Sequence, residues 1–173
     1  TIPTGAVRVL SGTITSTWET ATRLWLEIGD SVARAGLRKL IVVNAHGGNV
    51  PMVDIVTREL RIRHDMLAVG TGWSRFGYPE GLPTSEEALY GIHGGEIETS
   101  LMLYLRPDLV RMDKARDFRS SQLDYIKEFK HLRAHGAVQF GWKAQDLNPA
   151  GAVGNATIAS AEKGKTIIDH QAR

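Results

Sequence analysis

The stretch that decides the fold is Leu40-Ile41-Val42-Val43-Asn44-Ala45-His46-Gly47-Gly48-Asn49, which passes from an apolar run to a polar, glycine-rich turn. Apolar residues without alternation are typical of a strand that is buried on both faces, as in a parallel sheet. Asn49 followed by Pro51 indicates the start of a helix, with Asn49 as its N-cap. His46 is therefore expected at the carboxyl end of a strand, where open α/β sheets bind ligands.

The two glycines after His46 leave two interpretations open. Gly47 and Gly48 allow positive φ angles or a close approach of the backbone to a ligand. They equally suit a plain tight turn, in which His46 is only a hydrogen-bonded residue at the end of a strand. On the first interpretation, Gly47, Gly48 and Asn49 are candidate substrate-binding residues.

The composition is that of a globular domain, and it restricts the possible chemistry. The chain has 173 residues, of which 42% are hydrophobic and 23% charged, which is typical of one soluble domain. It contains no cysteine, so any metal must be held by His, Asp or Glu. A net charge of +2 with dispersed Lys and Arg predicts no nucleic-acid partner. Because no apolar run has the length of a bilayer span, we expect no membrane partner and a cytoplasmic location.

Apolar periodicity in the first half predicts that helices and strands alternate. Helices are predicted from Trp18 to Ala35, closed by Gly36, and from Val50 to His64. Strands are predicted at Leu40–Val43 and Met66–Val69. This order requires crossover connections and therefore predicts an α/β fold with a parallel sheet.

The second half is predicted to begin after a loop, Gly77–Tyr90, that contains several Pro and Gly residues and ends in a short helical turn. A helix is predicted after His93-Gly94-Gly95, and it should end before Pro107. The remaining predictions are a superficial helix at Ser121–Arg133, an extended segment at Gly136–Trp142, a turn at Asp146–Pro149 and a last helix at Thr157–Gln171, interrupted or bent near Gly164.

A second His-Gly-Gly tripeptide, beginning at His93, favours a functional interpretation of both. Turn geometry alone explains two such tripeptides poorly, and a shared site is the simpler account. Imidazole binds divalent metals, and a carboxylate can complete the ligand set or act as a general base. Glu96 and Glu98 would point to nearly opposite sides of a helix, and we favour Glu98 for the site. Glu96 is predicted to be a solvated first-turn carboxylate that favours the helix dipole.

Other aromatic and imidazole side chains receive simpler predictions. Surface positions are predicted for His64, His131, His135 and His170. Trp73 and Trp142 lie in glycine-flanked segments, and each is expected either to cover a pocket or to pack in the core or an interface. Trp142 is carried forward as a candidate substrate-binding residue.

These motifs resemble the creatininase (creatinine amidohydrolase) family. The segments that carry the resemblance are Val43–Asn49, His93–Ser100, Leu105–Val110, Gly151–Thr157 and Ala161–Gly164. The resemblance implies a three-layer α/β/α fold with a mainly parallel sheet, in a single domain over residues 1–173. It also implies that metal-bound water hydrolyses a non-peptide C–N bond of a small cyclic or linear amide. The implied cofactors are two divalent ions of zinc, manganese or iron, and a homo-oligomer, often a hexamer, is usual.

The resemblance also implies roles for single residues. His46 is expected to bind metal, His93 to be the catalytic histidine, and Glu98 to bind metal or assist proton transfer. Gly48 stands where creatinine-hydrolysing members carry a ligating glutamate, which speaks against creatinine as the substrate. The family's N-terminal metal-ligand motif has no match, so we expect the domain to be N-terminally incomplete. The alternative is an inactive or truncated member that acts as a binding or assembly subunit.

Overall fold

A computed structural model describes residues 13–173 in two compact units. The first unit extends to Phe76 and the second comprises Gly77–Arg173. This division confirms the boundary that the loop beginning at Gly77 predicted. The prediction about an N-terminal ligand motif concerns the chain ahead of Thr13 and lies outside the described residues.

The first unit alternates helix and strand, as the periodicity predicted. Its elements are α1 (Trp18–Arg34), β1 (Lys39–Asn44), α2 (Val50–His64) and β2 (Leu67–Gly72). The two strands are parallel, with Lys39 opposite Leu67 and Asn44 opposite Gly72. Asn49 occupies the N-cap position of α2 without a capping hydrogen bond from its side chain, and a proline lies in the first turn of this helix.

The core of the first unit lies between the helices and one face of the sheet. Val56, Leu60 and Met66 are buried in it, and Leu40 packs against them. Burial alternates along β1, and Ile41 is 66% exposed. The prediction of a strand buried on both faces is therefore wrong, because an apolar run specifies β structure but not what covers each face. The exposed side carries Ile41, Val43, Leu67 and Val69, which we call the open sheet face.

The second unit contains five α-helices and one short antiparallel pair of strands. The elements are α3 (Ser85–Tyr90), α4 (Glu96–Leu105), β3 (Asp117–Phe118), α5 (Gln122–Glu128), α6 (Ala144–Leu147), β4 (Gly154–Asn155) and α7 (Ala161–Gln171). As predicted, α4 ends ahead of Pro107. Over residues 13–173, no helix combines the length and the apolar character that a membrane span needs.

Local hydrogen bonds explain where this unit departs from the predicted elements. A helix covers the first two residues of the turn predicted at Asp146–Pro149, because Asp146 accepts the backbone N–H of Lys143 and caps α6. A turn follows directly, in which the N–H of Gly151 donates to the carbonyl of Asn148 at 2.8 Å. The last helix begins at Ala161, where Ser160 is its N-cap, and the predicted first turn is a separate 3₁₀ segment. Residues 136–142 form no strand, and Gln139 makes only a single bridge to Arg133. The helix predicted at Ser121–Arg133 is shorter and ends at Glu128.

Close packing of α4 on α7 explains the glycine at position 164. A Cβ on Gly164 would overlap the carbonyl oxygen of Ser100 in α4. The helix runs unbroken through this position, so the interruption considered for it is wrong. Glycine serves here to let two helix backbones approach each other.

Candidate active site

His46 lies just beyond the carboxyl end of β1, as predicted, and its side chain is half-buried. The side chain of Asn44 forms hydrogen bonds with both the N–H and the carbonyl group of His46. Asn44 Nδ2 donates to the carbonyl of His46 at 2.7 Å, and the His46 N–H donates to Asn44 Oδ1 at 3.2 Å. Sequence reasoning missed this role of Asn44, although an Asn that ends an apolar run is a known source of such local bonds.

The glycines after His46 form part of a short 3₁₀ helix, Gly47–Asn49. Neither Gly47 nor Gly48 has a positive φ angle, so the backbone conformation does not require glycine at these positions. A Cβ on Gly47 would meet no atom within 4 Å, which leaves space for a close approach. Asn49 is buried, and its N–H donates to the carbonyl of His46 at 3.0 Å. Substrate binding by these three residues stays a prediction.

The structure brings His93 and Glu98 together in the second unit. His93 Nδ1 lies 3.4 Å from Glu98 Oε2, and the N–H of Gly94 donates to the same oxygen at 2.7 Å. His93 is fixed from the other side by an antiparallel bridge to Val153, whose N–H donates to the carbonyl of His93 at 2.6 Å. Both side chains remain partly exposed and can reach a ligand.

Glu98 changes the proton affinity of His93. The hydrogen bond to Glu98 raises the pKa of His93, and the negative charge of Glu98 acts in the same direction. Burial of the imidazole lowers the pKa, but less strongly, so the pKa lies above its ordinary value. A histidine of this kind, paired with a carboxylate, is suited to accept and return a proton near neutral pH.

Glu96 is not the solvated carboxylate that was predicted, since it is only 1% exposed. Lys163 Nζ donates to its Oε1 at 2.6 Å, and Thr84 donates to its Oε2 from the backbone at 2.9 Å and from the hydroxyl at 3.1 Å. Burial raises the pKa of Glu96, but these hydrogen bonds outweigh burial and hold the pKa below its usual range. The helix begins at Glu96 and therefore separates the two glutamates, as the spacing predicted.

Tyr78 is a further side chain of this region that sequence reasoning missed. Burial raises the pKa of its phenol, and the charge of Glu98 raises it further. A single tyrosine in a loop rich in Gly and Pro carries no pattern that would have identified it.

Trp142 lies at the edge of a small core in the second unit. Its indole N–H donates to the carbonyl of Ala134 at 2.5 Å, and its ring packs against Ala134, Leu147 and Val153. These contacts fit the packing alternative considered for it. A role in substrate binding stays a prediction. Trp73 belongs to the first unit, where it is exposed.

His64, predicted to be a surface residue, is only partly exposed and has a specific partner. Its Nε2 lies 2.7 Å from Asp30 Oδ1, and the pair joins α2 to α1. The side chain is half-buried because the helices pack at this point. His131, His135 and His170 are exposed, as predicted.

The donor chemistry suits a divalent ion, but the described residues do not assemble a metal centre. Imidazole nitrogen and carboxylate oxygen are ligands that zinc and manganese accept. Within the described part of the chain, no three His, Asp or Glu side chains form a group that could hold an ion. His46 belongs to the first unit, and His93 and Glu98 belong to the second.

Comparison with known proteins identifies relatives over nearly the whole chain. The family model described as Creatininase, creatinine amidohydrolase, matches residues 1–173. The chain is 31% identical over 174 residues to creatinine amidohydrolase of Pseudomonas putida, which covers 91% of this chain and 61% of that protein. It is 29% identical over 164 residues to mycofactocin precursor peptide peptidase of Mycobacterium ulcerans (strain Agy99), covering 95% of this chain and 56% of that protein.

Solved structures agree with this assignment. A crystal structure of creatinine amidohydrolase (creatininase) is similar, with a TM-score of 0.66 and 28% identity, covering 97% of this chain and 65% of that one. A mutant creatininase of Zn-Zn type has a TM-score of 0.64 and 29% identity, covering 94% of this chain and 63% of that one. The chain spans less than two thirds of the length of these relatives. With the family model matched throughout and the α/β fold shared, this chain belongs to the creatininase family.

Proposed function

We propose that this chain is the whole or part of a hydrolase that cleaves a C–N bond in a small cyclic or linear amide, with divalent metal ions as cofactors. The observation that carries the proposal is the pair formed by His93 and Glu98, with 3.4 Å between Nδ1 and Oε2. Membership of a family whose named members hydrolyse creatinine or cleave a precursor peptide supports it.

Amide hydrolysis needs a base that takes a proton from water and an acid that protonates the departing nitrogen. His93 can serve both needs in turn, because Glu98 stabilises its protonated form. The N–H of Gly94 holds the Glu98 carboxylate in place through a 2.7 Å hydrogen bond. We propose that Gly47, Gly48, Asn49 and Trp142 contribute to substrate binding. We expect the substrate to be an amide other than creatinine, because Gly48 stands where the creatinine-hydrolysing members carry a ligating glutamate.

A bound divalent ion would supply a Lewis acid and an activated water. We propose that His46 in the first unit and Glu98 in the second are metal ligands. A catalytic ion typically has three protein ligands, and residues 13–173 do not complete such a group. The present residues therefore fit a metal only in part, and the proton transfers are assigned to His93 and Glu98 alone.

The test measures amine or ammonia release from small cyclic amides including creatinine, from linear amides and from a short peptide, with added Mn²⁺ or Zn²⁺. This chain and the complete reading frame that encodes it are compared. Turnover should fall roughly 10²–10⁴-fold in His93→Ala, the range of general acid–base catalysis, and stay unchanged in His131→Ala, which alters an exposed histidine. Absence of turnover in metal-loaded protein of both lengths would refute the proposal.

A non-catalytic assembly subunit is a second candidate function, favoured by the open sheet face. Ile41 is 66% exposed and Leu67 is 58% exposed, on a surface where apolar side chains are usually covered. The family resemblance implies a homo-oligomer, often a hexamer, and contact between its subunits would cover such a face. Light scattering of the folded chain and of Ile41→Lys tests this candidate. Association that Ile41→Lys abolishes, in protein without hydrolytic activity, would favour the assembly function.

A further inference from the structure

Glu87 is a buried carboxylate that the proposed chemistry does not use. It lies on α3 and is 4% exposed. Its Oε2 accepts the backbone N–H of Asn155 at 3.0 Å. Burial raises the pKa of the Glu87 carboxyl, and the nearby backbone N–H groups of Asn155, Glu96 and Ile97 oppose that rise without cancelling it. Glu96 and Ile97 open α4, whose N-cap residue, Gly95, has no side chain to offer. The Glu87 carboxyl therefore lies beside the first turn of α4, where backbone N–H groups have no partner within the helix.

Three glycines make the space that this carboxylate fills. A Cβ on Gly91 or on Gly95 would overlap the Glu87 carboxylate, and a Cβ on Gly154 would lie 2.7 Å from Glu87 Oε2. We call Gly91, Gly95 and Gly154 the glycine cradle. Gly91 and Gly95 lie on either side of His93, and Gly154 follows Val153, the residue that pairs with His93.

The cradle connects Glu87 with both sides of the His93 bridge. On one side, the Glu87 carboxyl lies against Gly95, the N-cap residue of the helix whose first turn carries Glu98. On the other side, it accepts the N–H of Asn155, on the segment whose Val153 N–H binds the carbonyl of His93 at 2.6 Å. A single carboxylate thus joins the segment that fixes His93 to the helix that carries Glu98.

We propose that Glu87 is a positioning residue, whose carboxylate sets where Glu98 lies relative to His93 without itself touching substrate. This inference rests on the proposed function only where it concerns turnover. The geometric part concerns the Gly94 N–H, which donates to Glu98 Oε2 and not to Glu87. Loss of the Glu87 carboxylate should therefore change hydrogen exchange at the Gly94 amide as well as at the Asn155 amide, which the carboxylate binds directly.

The first experiment compares amide hydrogen exchange and ¹H–¹⁵N spectra of the chain with those of Glu87→Gln. The side-chain amide is similar in size, but its NH₂ group meets backbone donors where the carboxylate offered an acceptor. Glu86→Gln is the matched control, since Glu86 is exposed on the same helix and loses the same charge. We expect exchange at Gly94 to be at least about tenfold faster in Glu87→Gln and unchanged in Glu86→Gln. Changes confined to the amides of Glu96, Ile97 and Asn155 would overturn the positioning role.

The second experiment uses the most active substrate from the hydrolysis panel, at a temperature where the variants remain folded. Misplacement of catalytic groups lowers kcat, so we expect roughly a 10²-fold lower kcat in Glu87→Gln with KM changed less than about threefold. An unchanged kcat would overturn the inference. If neither this chain nor the complete protein has activity, the proposed function fails, but the exchange measurement at Gly94 still decides the geometric part.

Glu87→Asp keeps the carboxylate but shortens the side chain by one methylene group. We expect its effects on Gly94 exchange and on kcat to lie between those of the parent chain and of Glu87→Gln. It also protects the test against a Glu87→Gln protein that does not fold. Unfolding of both variants would overturn the specific role, because it would make Glu87 a requirement of the whole fold.

Discussion

Lys163 Nζ lies 2.6 Å from Glu96 Oε1, so a cation on α7 balances a carboxylate that is buried where α4 begins. Lys163 Nζ also donates to the carbonyl of Ile158 at 2.8 Å, and Thr84 donates twice to the second oxygen of Glu96. The pair joins two helices that are distant in sequence, beside the turn that leads from His93 to Glu98.

We expect Lys163→Met to lower the free energy of unfolding by about 3 kcal/mol, because it leaves the Glu96 carboxylate buried without its cation. Chemical denaturation at pH 7 measures this change. Lys165→Met is the matched control, since Lys165 on the same helix pairs with exposed Asp169, where water screens the pair, and the loss of stability should be much smaller. Equal losses in the two variants would contradict the burial argument.

The same pair predicts a pH dependence. The folded-state pKa of Glu96 is lowered, so its stabilising effect is present above the ordinary value of 4.5 and disappears as pH falls through the lowered value. The difference in unfolding free energy between the parent chain and Lys163→Met should therefore shrink on acidification. A difference that stays constant from pH 7 to strongly acidic solution would show that the lost stability is not electrostatic.

Gly164→Ala should destabilise the chain by about 2 kcal/mol, since the added methyl meets the backbone of Ser100 and cannot be accommodated by a side-chain rotation. Gly141→Ala serves as the control, because a Cβ at that exposed position meets no atom within 4 Å. Thermal or denaturant unfolding of both variants gives the comparison. Similar stabilities would mean that α4 and α7 can separate slightly without cost.

In metal-free protein, we expect His93 to titrate above its ordinary pKa of 6.5 and closer to that value in Glu98→Gln. Because the folded-state pKa of His93 is raised, protonation of His93 stabilises the folded state. This stabilisation is fully present below pH 6.5 and is lost as the pH rises through the folded-state pKa. Glu98→Gln should therefore cost more stability at pH 6 than at pH 9. Imidazole NMR titration measures the midpoint, with His93→Asn identifying the resonance and exposed Glu128→Gln as the control. An unchanged midpoint in Glu98→Gln would refute the coupling.

Asn44→Ala should accelerate hydrogen exchange at the His46 amide and cost about 1 kcal/mol, the usual net contribution of such hydrogen bonds. Asn44→Asp is the informative companion, because it keeps the acceptor for the His46 N–H but loses the donor to the His46 carbonyl. We expect Asn44→Asp to be no more stable than Asn44→Ala, since its carboxylate would face that carbonyl. A fully stable Asn44→Asp would assign the role to the N–H bond alone.

Local signals explain which parts of the fold were predictable. The helix over Val50–His64 was predicted with its observed bounds, because a proline in the first turn and an apolar stripe are both contained in the segment. The covering of β1 was predicted wrongly, because it depends on what packs against Ile41 and Val43 from elsewhere in the protein.

The same distinction holds at the candidate site. His93 and Glu98 are close in sequence, so the start of one helix decides whether they meet, and their approach was predicted. Glu96 binds Lys163 across 67 residues, and Glu87 binds Asn155 across 68 residues. No spacing rule within a single chain segment relates such partners, and both roles became visible only in the folded structure.

The glycine cradle restricts how this sequence can diverge. While glutamate occupies position 87, any side chain at Gly91, Gly95 or Gly154 collides with its carboxylate or crowds it. A larger residue at Gly91 or Gly95 would push the Glu87 carboxyl away from the N–H of Asn155. Gly154 is restricted independently, because its φ of 136° favours glycine whatever residue stands at position 87. Among homologues, larger residues at positions 91 and 95 are therefore expected mainly where position 87 is no longer glutamate, while position 154 stays glycine.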